Sequence, residues 1–115
     1  MSEYDQRQYQ RMLYKLACIE EGAFFQALVT DLACLLGALE MRDPPWEGAF
    51  QNGLAGLEDD IFFASHKLEE DGDVSYKEPS FDDERAERLR ATAVELKQLV
   101  LQKIETPVGG AEDTD

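Results

Sequence analysis

One histidine, one tryptophan and two cysteines are spread over 115 residues, and each scarcity closes off a kind of chemistry. A di-iron bundle draws Glu-x-x-His motifs from paired helices, and His66 alone does not supply two. Cys18 and Cys34 have no cluster of histidines or cysteines to join, so no zinc site or other metal site is expected. Nor do two cysteines make a disulfide framework. Both fall in apolar helical segments, where burial is expected to raise the thiol pKa and leave them inert, which disfavours a nucleophilic dyad with His66. No catalytic or cofactor-binding motif stands out, and the chain is not expected to be an enzyme.

Positive charge is also scarce. Eleven Lys and Arg face 25 Asp and Glu, a net charge of −14. Nucleic acid and anionic membranes would both repel such a chain, so neither is expected as a direct partner. The N-terminal residues, Met-Ser-Glu-Tyr-Asp-Gln-Arg, lack the basic and apolar regions of a secretion signal, and the protein is read as cytoplasmic. No apolar run reaches the roughly 20 residues that a membrane-spanning helix needs. No segment alternates with period two over a strand's length, and no internal repeat is apparent.

What remains is helical periodicity. Phe24 to Leu39 carries a single charge, Asp31, and its apolar residues recur at three-to-four spacing around most of the circumference. Such a helix is expected at the centre of a bundle, covered on several sides. Before it, residues 3–19 form an amphipathic helix with Tyr9, Met12, Leu13, Leu16 and Ile19 inward. Gly22 is a plausible break between the two, a single long helix over 3–41 being the alternative. Arg42-Asp43-Pro44-Pro45 ends the central helix, and Asp43 can cap the next with Pro44 at its first position. That third helix runs to about Lys67 with Trp46, Phe50, Leu54, Leu57, Ile61 and Ala64 inward. Its glycines 48, 53 and 56 each cost roughly 1 kcal/mol against alanine; they either break the helix near Asn52-Gly53 or allow close approach of the central helix, the reading preferred. Residues 69–79 read as a polar loop. Ser80 and Asp83 resemble a capping box for a fourth helix, Phe81 to Ile104, with Ala86, Leu89, Ala93, Leu96 and Val100 as its seam. The fold class expected is all-α: one compact antiparallel bundle over residues 1–106, with a disordered acidic tail over 107–115.

The charge is unevenly placed. Residues 58–84 carry eleven acids against Lys67 and Lys77, a net −9, while 85–104 carry a net +3. Asp82, Asp83 and Glu84 complement the start of a helix, but Glu58, Asp59 and Asp60 lie within one. The 69–78 loop imitates a calcium loop around Gly72, yet puts Lys67 at the first ligand position and Pro79 where the exit helix should run, so calcium binding is not expected. Asp31 stands among residues expected to be buried, hydrogen-bonded to the first helix or on a narrow solvent face. Ile61, Phe62 and Phe63 are consecutive and do not all face inward on a helix, so at least one of the two phenylalanines should reach the surface.

Aromatics bordered by one sign of charge are typical of protein interfaces. The function expected is a non-enzymatic acidic protein, comparable in charge and architecture to immunity proteins and inhibitors, that neutralises a basic partner such as a toxin or a nucleic-acid-binding protein. Glu58, Asp59, Asp60, Phe62, Phe63, Glu69, Glu70, Asp71 and Asp73 form the expected binding surface, and no cofactor is called for. Reversing Asp59 and Asp60 to lysine should then weaken binding, mainly through the on-rate, and leave folding intact. The alternatives are an adaptor with an apolar groove involving Trp46 or Phe62, an enzyme whose scattered carboxylates hold a divalent metal, and a homodimer that covers the central helix across its interface.

Overall fold

The structure is a computed structural model that describes residues 2–105; the acidic segment 107–115 lies outside the described residues. It contains four helices, α1 (Glu3–Glu20), α2 (Gln26–Gly37), α3 (Pro44–Ala64) and α4 (Asp83–Glu105), and two short strands, β1 (His66–Leu68) and β2 (Val74–Tyr76), between α3 and α4. The all-α bundle is therefore as the apolar spacing indicates. Successive helices run antiparallel, as the cross-links show: Lys15 meets Asp31, Gln26 meets Glu58, Asp60 meets Arg88, and Glu20 meets Lys97. The helices form a ring in which each touches its two neighbours, α4 closing back onto α1.

Three of the four apolar stripes lie where the spacing places them. Met12, Leu16 and Ile19 of α1, Phe50 and Leu57 of α3, and Leu89, Ala93, Leu96 and Val100 of α4 are buried in one core. Trp46 stacks on Phe50 and receives the edge of Tyr9, with ring centroids 5.2 Å and 5.7 Å away. Its indole N–H donates to the Leu99 carbonyl at 2.9 Å, so the polar end of this buried ring is satisfied. That excludes Trp46 from any surface groove.

The helix expected at the centre is not central. α2 packs on α1 and α3 but not on α4, burying only Val29, Leu32 and Leu36 within its span. Ala27, Ala33, Cys34, Gly37 and Ala38 face solvent. Its outer side is built of small residues, whose apolar area is too slight to demand a cover. Cys34 is thus exposed and Cys18 half-buried, contrary to the expectation that both are buried.

Gly22 is the break between α1 and α2, with φ +110° and its N–H donating to the Ile19 carbonyl, which rules out a continuous first helix. α3 runs unbroken through its glycines. The close approach at Gly53 is to α4 and not to α2: a Cβ there would stand 2.5 Å from Leu96 Cδ2, whereas Gly48 and Gly56 face open space. Asp43 precedes α3, but its carboxylate pairs with Lys103 instead of capping, and Glu47 reaches back to the Asp43 N–H at 2.8 Å. Asp82, not Ser80, caps α4 through the Arg85 N–H. Among the described residues no helix is long and apolar enough to cross a membrane.

Candidate functional site

The segment expected to be a loop is a β-hairpin standing on the end of α3. Its register pairs His66 with Tyr76, Lys67 with Ser75 and Leu68 with Val74. Gly72, at φ +92°, makes the turn, where its N–H donates to the Glu69 carbonyl. Asp71 accepts the Asp73 N–H, and Glu69 accepts the Ser75 hydroxyl at 3.1 Å. These carboxylates serve the turn, and Lys67 stands 3.9 Å from Glu69. Among the described residues no three His, Cys, Asp or Glu converge on a point where a metal ion could be held.

Alternation along strands separates two faces. Lys67, Glu69 and Ser75 share the polar one. On the other, the Tyr76 ring meets His66 edge-on at 5.9 Å, and His66 lies flat on Phe62 with centroids 4.0 Å apart. Phe63 adds its edge to Phe62 at 5.0 Å. His66 Nδ1 is 2.8 Å from the Phe62 carbonyl, an atom that can only accept, so Nδ1 carries a proton. This bond ties the hairpin to the last turn of α3. The four rings form a continuous ladder from helix to strand, and three of them are open to solvent: Phe62 38%, Phe63 41% and Tyr76 72% exposed. Both phenylalanines reach the surface, where the sequence required only one.

The nine residues singled out from the sequence divide into three groups. Phe62 and Phe63 join the aromatic ladder; Glu69, Glu70 and Asp71 line a shallow recess with Lys67, and Asp73 closes the turn. Glu58 points away toward α2, where it accepts from Gln26 at 3.2 Å. Asp60 faces α4, bonded to Arg88 at 2.9 Å with Arg85 at 4.0 Å. This pairing raises the Arg88 pKa, first through the hydrogen bond and then through the charge of Asp60. Asp59, between them, makes no side-chain bond among the described residues, and neither do Glu70, Asp73 and Glu78. Consecutive helical positions diverge by about 100°, so 58 to 60 do not share a face. Asp60 holds helices together, and reversing it would test the bundle before any surface.

His66 and Tyr76 complete the ladder and stand outside the nine residues expected to form the surface; their signal in the sequence is two ring-bearing residues flanking an acidic turn. The same end of the bundle carries a second recess lined by Phe24, Phe25, Ile61, Pro79 and Phe81. Phe24 tilts against Phe81 at 5.1 Å, and Arg90 lies 5.6 Å above its ring. Asp31, the other acid in question, pairs with Lys15 at 2.9 Å on a half-exposed site. Compared with models of known protein families, with curated proteins and with solved structures, the chain matches none.

Proposed function

We propose that this chain is a non-enzymatic acidic binding protein that docks on, and inhibits or neutralises, a basic protein partner through its hairpin end. The observation that carries this reading is the solvent-open ladder Phe63–Phe62–His66–Tyr76, set beside Glu70 and Asp73, whose carboxylates pair with no cation among the described residues. Aromatic rings supply contact area at little entropic cost, and the segment's net −9 draws a basic surface toward them. The carboxylates of Asp59, Glu70, Asp73 and Glu78 are available for this because none has a bond among the described residues.

The test is capture from a lysate of the source organism on immobilised protein, washed at low and then high salt. Native protein is compared with a variant carrying Glu70→Lys and Asp73→Lys, neither of which bonds internally through its side chain. A basic protein held by the native chain, released by salt and absent from the variant is the expected result. Equal retention by both chains, or a partner indifferent to salt, contradicts it and favours the apolar-groove adaptor.

A further inference from the structure

β2 is the outermost element of the molecule: among the described residues it meets no secondary-structure element but β1. After Tyr76 the chain turns back on the β1 side, the Lys77 N–H donating to Ser65 and the Ser80 N–H to Ala64, so no described residue covers the far edge of β2. The ladder fixes what that edge presents. Lys77 bonds inward to Ser65 and Glu69 inward to Asp73, so the residues between them on β2 that alternate outward are Val74 and Tyr76. Their side chains lie on the face of the aromatic ladder, Val74 being 48% and Tyr76 72% exposed.

Proteins usually blunt such an edge with lysine, proline, a bulge or a cover. β2 reads Val-Ser-Tyr, pairs one-to-one without a bulge, and is guarded only by its three-residue length. A two-stranded ribbon is marginal by itself, and a third strand is what completes it. A second copy of this chain is a poor third strand, because it would bring two net −9 segments together.

We infer that the edge of β2 receives an extended, basic segment of the partner as an added strand. This rests on the proposed docking of a basic protein and specifies how it docks. The added strand bonds its backbone to the outward groups of Val74 and Tyr76. It lays apolar, β-branched or aromatic side chains beside them, and places Lys or Arg beside Asp73 and the acidic turn.

The test is selection of a displayed random nonapeptide library on the native protein, followed by binding of the enriched peptides to Val74→Pro. Proline at 74 removes an outward N–H and no ladder bond, and leaves the four rings in place. Expected are peptides alternating Lys or Arg with Val, Ile or an aromatic. They should lose at least tenfold in affinity for Val74→Pro, and equally when their own edge-facing amide is N-methylated. In the native complex the Val74 and Tyr76 amides should gain at least tenfold protection from hydrogen exchange. Basic peptides that bind Val74→Pro as well as they bind the native chain, or that enrich at three-to-four helical spacing, overturn strand addition and leave basic docking standing. Enrichment of neutral or acidic sequences, or none at all, overturns both.

Discussion

The two ends of the bundle use their carboxylates in opposite ways. At the end where α2 turns into α3, Asp5 is fully buried and accepts the Glu40 and Met41 N–H groups at 2.8 Å and 3.0 Å. Asp43 beside it pairs with Lys103, which also lies 5.6 Å over the Trp46 ring. Every one of those contacts joins segments distant in sequence, so the acids there are structural. At the hairpin end, the side chains of Glu70, Asp73 and Glu78 make no hydrogen bond or ion pair among the described residues, and Phe62, Phe63 and Tyr76 beside them are open to solvent. An acid's role is thus set by whether the fold has turned a donor toward it, not by how many acids surround it.

The sharpest way to break this contrast is to remove Asp5. Asp5→Ala takes a buried acceptor from two part-buried backbone donors and should cost about 2 kcal/mol of unfolding free energy, read by urea denaturation. Partner capture at conditions where the variant is folded should be unchanged. Conversely, Glu70→Lys with Asp73→Lys should lower the association rate by roughly 10-fold or more at low salt, with the unfolding midpoint unmoved. If either variant shows the other's phenotype, the division between structural and exposed acids is wrong.

A smaller effect sharpens the packing side. Gly53→Ala forces Leu96, itself buried, to move, and should destabilise by about 1–2 kcal/mol. Gly56→Ala, facing open space on the same helix, should stabilise by roughly 0.5–1 kcal/mol. The smallest effect concerns Tyr9, whose pKa is pushed from 10.0 up to about 12, by burial first and then by the nearby charge of Asp5. Because the phenol is harder to ionise in the fold than in the unfolded chain, stability is level below the unfolded value and falls as pH climbs from there toward the folded value. Tyr9→Phe should therefore match the native chain near neutral pH and resist unfolding better between pH 10 and pH 12.

These contrasts also explain what could be read from the chain alone. α1, α3 and α4 were legible because large residues such as Leu16, Phe50 and Leu96 recur with the helical period and must be buried. α2 was misplaced because Ala27, Ala33, Cys34 and Ala38 count as apolar yet bury little area, so a run of them does not force a central position. The hairpin was missed because three residues per strand are too few for a period of two to appear. Asp5 was illegible for another reason: its donors are 35 and 36 positions away, and nothing local announces them. The exposure of Phe62 and Phe63 was foreseeable from helical geometry, while the gathering of His66 and Tyr76 onto them needed the turn at Gly72. Charge density picks out the hairpin end of the molecule, but it does not separate Asp60, which binds Arg88, from Glu70, whose side chain has no bond among the described residues.

The most direct test is hydrogen-exchange footprinting of the protein in complex with the partner retained at low salt. Protection confined to residues 62–63 and 66–76, with α2 and the Asp5 end unchanged, is the expected result. Protection centred on the exposed side of α2 or on the groove it shares with α3, with the hairpin left exchanging freely, would contradict the hairpin as the docking surface.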